Sequence, residues 1–385
     1  MRLTAVGAAA GTGLAVVSGA AGGGIEHRAL AAVAVPPLAA LIVAAWVAHR
    51  RLLAPAVVSL VLFGAAALVT SDVGHVVLAA GAFAATVVTA AATWRGEPVA
   101  DGSWRDYVAL TKPRIMTLLL LTGFCGMIIG AEGWPATWLV AVTMLGLALA
   151  CGGASALNHV LDRDVDRRMR RTAGRPVAAE RVPPARALEF GLALSALSFV
   201  LLASAVNPLT AALALVGNLF YVLVYTGWLK RSTPQNIVIG GAAGAVPPLV
   251  GWAAATGNLA LPALLLFLIV FMWTPPHFWA LALLIKRDYA AAKIPMLPVV
   301  RGDDETTKQI LLYSLVLVPV TLLPVFWSSA GIPYLAAALA LGGWFVWLAW
   351  KLRRDPTPAR ARFLFHYSLG YLALLFVALA LDVAL

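Results

Sequence analysis

The chain has 385 residues, 62% of them hydrophobic and only 12% charged, with a mean hydropathy of +0.89 and a formal net charge of +11. That leaves too little polar surface to cover a soluble globule, so lipid is the main solvent. The positive balance does not point to nucleic acid, because no loop is long enough to fold as a basic soluble domain, and the apolar runs lack the alternation of a β-barrel.

Most apolar runs have the roughly 20 residues that a helix needs to cross about 30 Å of hydrocarbon. Four fall before residue 100, near 3–20, 29–48, 54–70 and 74–93. Residues 1–20 also suit a signal peptide, since Arg2 precedes the apolar stretch and small residues follow. His27, His49 and His75 lie at predicted span ends, where a histidine is either an interfacial structural residue or a haem ligand. The polar segment 93–111 separates this Ala-, Val- and Gly-rich stretch from the chemistry-bearing part. Residues 1–100 are therefore read as an appended helical membrane module.

Nine further spans follow, near 115–131, 134–157, 187–206, 208–229, 236–257, 259–285, 309–328, 332–350 and 364–384. The predicted fold is thus all-α, a polytopic transmembrane bundle. Placed on this map, every Lys and Arg except Arg28 falls on one side. By the positive-inside rule the charged loops are cytoplasmic and the chain sits in the cell (inner) membrane. Cys125 and Cys151 fall inside spans without a C-x-x-C pattern, as buried small hydrophobes do.

The first charged loop after residue 110 reads NHVLDRDVDRRMRRTAGRP, residues 158–176. If the preceding helix continues through it, Asn158, Asp162 and Asp166 share one face at i, i+4 and i+8, while Asp164 points the other way. Oxygen donors stacked at a membrane boundary suit Mg²⁺, which takes few carboxylates and completes its shell with phosphate and water. The same acids also suit plain ion pairs with Arg163, Arg167 and Arg170 on a solvated face.

Short basic clusters recur at the bundle mouth: Lys112 with Arg114, Arg171 with Arg175, Lys230 with Arg231, and Lys286 with Arg287. Topology accounts for their sign; convergent cations would also stabilise a departing diphosphate. The loop KRDYAAAKIPMLPVVRG, residues 286–302, adds Asp288 and Tyr289, with Pro295 and Pro298 predicting a stiff, non-helical strap. Asp303, Asp304 and Glu305 read as charges at a helix N-terminus.

Within the sixth span, WTPPHFWALAL places His277 about 12 Å from the charged end, a costly depth for an ionisable ring. It is either a contact for haem or a proton, or a satisfied packing residue. Pro275 and Pro276 are expected to break or kink this helix. Trp273, Phe278, Trp279, Tyr221 and Tyr225 offer π faces for an allylic cation or ordinary packing.

Four segments together resemble the UbiA-type intramembrane prenyltransferases: LTKPRIMTLLLLTGF, the Asn158 motif, YTGWLKRSTPQNIVIGGAAGAVPPLVGW and WTPPHFWALALLIKRDYAAAKIPMLPVV. The Asn-x3-Asp-x3-Asp pattern resembles the whole superfamily, whereas 233–236, Pro275-Pro276-His277 and 294–296 resemble its haem-acting branch. The resemblance covers residues 104–385 and implies a nine-helix domain with a central cavity. It implies farnesyl diphosphate as donor, haem B as acceptor, haem O as product, and a haem A synthase acting downstream. It also implies Asn158, Asp162, Asp166 and Asp288 as metal ligands. Lys112, Arg114, Arg171, Arg175, Lys230, Arg231, Lys286, Arg287, Tyr289 and His277 are the implied substrate contacts. One departure is that Asp288 is followed four residues later by Ala292, not a second carboxylate, which puts a second metal in doubt. Two other functions fit the residues less well: prenylation of a quinone or chlorin precursor, and a transporter with charged gates.

Overall fold

The computed structural model describes residues 102–327 and 330–385 together with Ala82. The four N-terminal spans, the signal-peptide reading, His27, His49, His75 and the basic residues Arg2, Arg28, Arg50, Arg51 and Arg95 lie outside the described residues.

The first described helix, α1 (Trp104–Thr111), is held by a capping box in which Ser103 accepts from the backbone of Arg105 and Asp106 reaches back to Ser103. It turns into α2 (Pro113–Ala131) at Lys112, whose φ of 51° is left-handed. Such a backbone costs a non-glycine residue about 1 kcal/mol and concentrates at functional sites. Then follow α3 (Thr137–Leu161), the short α4 (Arg163–Arg168), α5 (Pro184–Ala205), α6 (Pro208–Ser232), α7 (Asn236–Thr256) and α8 (Leu261–Leu284). The chain continues through α9 (Lys286–Ala291), α10 (Leu297–Val300), α11 (Gly302–Phe326), α12 (Ile332–Arg354) and α13 (Pro358–Ala384).

Among the described residues nine of these helices are long and apolar enough to cross a membrane, matching the nine predicted. Proline opens α2, α5, α6, α8, α12 and α13, where its missing N–H and fixed φ suit a helix start. Several helices run a turn further at their charged ends than hydropathy suggests. Helix α11 begins at Gly302, not near 309, so Asp303, Asp304 and Glu305 occupy its first turn as expected for a helix N-terminus. The four connections 132–136, 206–207, 257–260 and 327–331 contain no Lys or Arg. All basic residues from Arg105 onward therefore collect at the opposite end of the bundle.

Helix α3 packs along α5, α7 along α2 and α8, and α13 closes the arrangement against α2, α8 and α12. The α2–α7 crossing is set by missing side chains: a Cβ on Gly251 would sit 1.9 Å from the Gly123 carbonyl, and one on Gly126 2.5 Å from that of Pro248. Small residues let backbones approach where lipid gives helices no hydrophobic reason to associate. Gly257, at φ 71°, then terminates α7.

Two sequence expectations need correction. Of the break or kink expected at Pro275-Pro276, the break does not occur: α8 runs helically from Leu261 to Leu284. The Thr274 hydroxyl bonds the Val270 carbonyl just before the pair, and the flanking helices bury both prolines. The 286–302 strap is not wholly irregular either, since α9 and α10 fall within it. Pro298 sits in the first turn of α10, where a proline breaks nothing. Cys125 and Cys151 are both free thiols within α2 and α3.

Candidate active site

Helix α3 ends at Leu161 and α4 begins at Arg163, yet the backbone ladder carries across the junction. Asp162 N donates to Asn158 O (2.9 Å) and Asp166 N to Asp162 O (2.7 Å). Asn158, Asp162 and Asp166 therefore share a face, and all three are buried, Asp162 completely. Asp164 points outward, as predicted, and is gripped by both Arg231 nitrogens at 2.9 and 2.7 Å. That grip holds its carboxyl below the usual range.

The buried face is met by cations from three other elements. Lys112 Nζ donates to Asn158 Oδ1 (2.8 Å), whose amide then donates to Asp162 Oδ2 (2.7 Å). Lys230 Nζ donates to the same Asp162 oxygen at 2.5 Å. Arg175 NH1 bonds both Asp166 oxygens at 2.8 and 2.9 Å. Burial, followed by the charges of Arg175 and Lys230, pushes the Lys112 ammonium down to about 7.

Lys230 reaches this position because α6 changes register. Residues Phe220–Leu229 form a π-helix, a form that concentrates at functional sites. Thr226 Oγ1 donates to the Tyr221 carbonyl five residues back (2.9 Å) and accepts from Asn158 Nδ2 (3.1 Å). Tyr221 and Tyr225 stack alongside with ring centroids 5.6 Å apart.

The strap closes over the same region. Asp288 Oδ2 accepts from the backbone N–H of Arg171 (3.2 Å), tying the 286–302 segment to the acidic loop. Beneath that bond Val165, Met169, Ile237, Tyr289, Ile294 and Met296 form one apolar cluster. Tyr289 lies within electrostatic reach of Asp162, Asp288, Arg171 and Arg175; burial raises its phenol, with the two acids adding and the two arginines opposing.

Four predicted residues are not drawn in. Lys286 turns to Asp303 (2.8 Å), and Arg114 and Arg287 are exposed with no side-chain partner among the described residues. His277 sits in α8 against Ser368 of α13, with Trp273 and Phe365 stacked on its ring. Thr226 was missed, because hydropathy carries no sign of a π register. So was His159, buried next to Asn158 with neither ring nitrogen hydrogen-bonded.

Among the described residues no three His, Cys, Asp or Glu side chains converge as a metal cluster. One atom nevertheless fits a hard cation. Asp162 Oδ1 is buried with no hydrogen bond, and Arg231 comes only to 3.9 Å. A bare carboxylate oxygen at that depth is costly unless something positive completes it. An Asn and two Asp with such an atom suit a divalent ion that takes its remaining ligands from phosphate and water.

The UbiA prenyltransferase family matches residues 119–375. A Symbiobacterium thermophilum protein named protoheme IX farnesyltransferase is 55% identical over 281 residues, covering 72% of this chain and 94% of that protein. A Pseudomonas fluorescens protein, protoheme IX farnesyltransferase 1, is 53% identical over 280 residues, covering 72% and 93%. A Roseiflexus protein with the former name is 53% identical over 278 residues, but the match spans only 52% of its length. Among solved structures, a digeranylgeranylglyceryl phosphate synthase has a TM-score of 0.61 at 17% identity, covering 72% of this chain and 98% of that one. A UbiA homologue from Archaeoglobus fulgidus bound to GPP and Mg²⁺ has a TM-score of 0.55 at 16% identity, covering 71% and 99%. At these identities the structures establish the shared fold. This chain is a membrane-spanning prenyltransferase and belongs to the UbiA prenyltransferase family.

Proposed function

We propose that the chain transfers the farnesyl group of farnesyl diphosphate to a vinyl group of haem B, with addition of water, giving haem O and diphosphate. The observation that carries this reading is the buried Asn158–Asp162–Asp166 face with one carboxylate oxygen left bare and three cations around it. The relatives' names supply the donor and acceptor classes.

Charge balance supports a diphosphate ligand. Two buried carboxylates, Asp162 and Asp166, face Lys112, Arg175 and Lys230, leaving the mouth net positive when Lys112 is protonated. Mg²⁺, when bound, neutralises diphosphate oxygens as a Lewis acid and so eases departure of the leaving group. Asn158, Asp162, Asp166 and Asp288 would hold it, directly or through water. Lys112, Arg175, Lys230 and Arg231 place fixed positive charge where the leaving group accumulates negative charge, and need no reorganisation during reaction. Tyr221 and Tyr225 present stacked π faces beside the site, suited to shelter an allylic cation. Asn158 orients Lys112 and Asp162 together, and Thr226 fixes which way its amide points.

In the reaction the allylic C–O bond breaks with its electrons leaving on the diphosphate. The haem vinyl carbon supplies the pair for the new C–C bond, and water captures the resulting cation and releases a proton. The surrounding apolar helices keep stray water from the donor. The charged loops are taken to face the cytoplasm, residues 104–385 form the catalytic unit, residues 1–100 are an appendage, and a haem A synthase consumes the product.

Membranes containing the chain test this with farnesyl or longer diphosphates, haem B or 4-hydroxybenzoate as acceptor, and Mg²⁺ or chelator. Haem-dependent farnesyl transfer that chelation stops is expected. Transfer to the benzoate alone would overturn the acceptor.

A further inference from the structure

Helix α12 leaves one face uncovered where it approaches the charged end of the bundle. Trp344, Trp347, Trp350, Lys351 and Arg354 fall within about 120° of one another around this helix, at roughly 3.6 residues per turn. The three indoles stay 47%, 37% and 41% exposed, and Arg354 is exposed as well. A Cβ on Gly343, which shares the face, would meet nothing within 4 Å, so no described helix covers it. Because α12 is long and apolar enough to cross the membrane and these residues occupy its last turns, the face meets lipid at the level of the headgroups.

The cations at this end of α12 are of two kinds. Arg353 pairs with Asp304 and Arg360 with Asp355, whereas Lys351 and Arg354 form no ion pair among the described residues. Instead the Lys351 ammonium lies 3.6 Å from the centroid of the Trp347 ring, and the Arg354 guanidinium 4.4 Å from that of Trp350. Trp344 packs against Trp347 with centroids 4.4 Å apart and backs the first of these seats. Both contacts join residues i and i+4, and helical side chains lean toward the N-terminus, so each cation folds back along α12 toward the hydrocarbon. A cation at a span end with only topology to serve extends outward to water. These two are held about one turn inward, each with an indole on one side and its other side open to the headgroups.

We infer that this face binds the phosphate of an anionic phospholipid, with Lys351 and Arg354 contacting the phosphate and Trp347 and Trp350 holding them at headgroup depth. Charge decides the occupant. Two cations without an acid on an indole-lined, lipid-facing surface complement a headgroup with net negative charge, whereas a zwitterionic headgroup brings a cation of its own that they repel. The site stands on α12, apart from the diphosphate-facing residues of α3, α4 and α6, and does not depend on which donor or acceptor the chain uses.

The test is native mass spectrometry of the full chain in detergent, loaded with equimolar phosphatidylglycerol and phosphatidylcholine of the same acyl chains, with melting as the folding control. Wild type is expected to retain phosphatidylglycerol in preference. Lys351→Gln with Arg354→Gln is expected to cut that preference at least about fivefold, roughly the factor that each cation near a membrane surface contributes. Lys286→Gln with Lys308→Gln removes the same net charge from the same end of the bundle, but from cations facing Asp303 and Glu305, and should leave the preference within about twofold. Trp347→Leu with Trp350→Leu keeps both cations and should still lower the preference, and Trp347→Phe with Trp350→Phe should restore part of it. If the Lys351 and Arg354 pair of changes does not fold, the exposed Arg354→Gln alone decides, with a fall of at least about twofold expected. The inference is overturned if wild type shows no preference, if the Lys351 and Arg354 changes leave it intact, or if the two charge-removing pairs lower it equally, as diffuse charge would. Loss of the bound lipid to millimolar inorganic phosphate would also overturn it, by making the site one for a free anion.

Discussion

Asp162 and Asp164 are two residues apart, equally acidic, and opposite in environment, so removing each charge in turn separates a working carboxylate from a surface one. Asp162 is fully buried, accepts from Asn158 and Lys230, and keeps one oxygen bare. Asp162→Asn leaves Lys230 facing a neutral amide and removes the atom best suited to a cation. Breaking one side of a buried pair costs about 3–5 kcal/mol. If that loss falls on the transition state, farnesyl transfer drops by roughly 10²–10³·⁵, since about 1.4 kcal/mol is tenfold. Asp164 has a side chain 48% exposed and paired with Arg231, which is 38% exposed; such pairs are worth about 0–1 kcal/mol. Asp164→Asn is expected to change the rate by less than about fivefold. The assay is initial farnesyl transfer in membranes at saturating Mg²⁺, with melting of the purified variants in detergent as the folding control. The reasoning is refuted if Asp162→Asn, correctly folded, keeps more than a tenth of wild-type rate, or if Asp164→Asn falls as far.

Four further outcomes follow from particular contacts. Lys112 titrates at about 7 and loses its charge above it, so kcat/KM for the donor should fall as pH rises through that point. Lys112→Arg, which stays charged, should flatten that limb in a pH–rate profile. Thr226→Val removes the hydroxyl that accepts from Asn158 and should slow transfer about tenfold, for a loss of about 1–2 kcal/mol, with melting almost unchanged. Gly251→Ala forces a Cβ into the Gly123 carbonyl and should lower detergent stability by at least about 1–3 kcal/mol, whereas Gly244→Ala, with open space around it, should be neutral in the same melt. Lys286→Ala frees only Asp303 and should leave transfer within about threefold, as expected for an exposed pair.

How much of this was legible in the sequence differs by element. The nine spans from residue 113 onward could be read because each is a long apolar run with at most one charged residue, and the largest misplacements of their ends, as at Gly302 and Pro358, fall where charged residues extend a helix beyond lipid. The common face of Asn158, Asp162 and Asp166 followed from spacing alone, and the ladder across Asp162 preserves it despite the helix break. Which cations join that face was not legible, because a Lys at a span end looks the same whether it meets Asp162, as Lys230 does, or Asp303, as Lys286 does. Thr226 could not have been found either, since its position depends on the π register of α6. The proline pair in α8 does not break the helix for a related reason: a local breaker is overridden where neighbouring helices bury the freed backbone. The Ser368–His277 bond joins residues 91 apart in sequence and is visible only in three dimensions.

The most direct measurement is mass spectrometry of the haem recovered after incubating membranes containing the chain with haem B, farnesyl diphosphate and Mg²⁺ in isotopically labelled water. The expected product is haem heavier by one farnesyl group and one water, carrying the labelled oxygen and absent from the Asp162→Asn sample. Unchanged haem alongside consumption of the donor would contradict the proposed function.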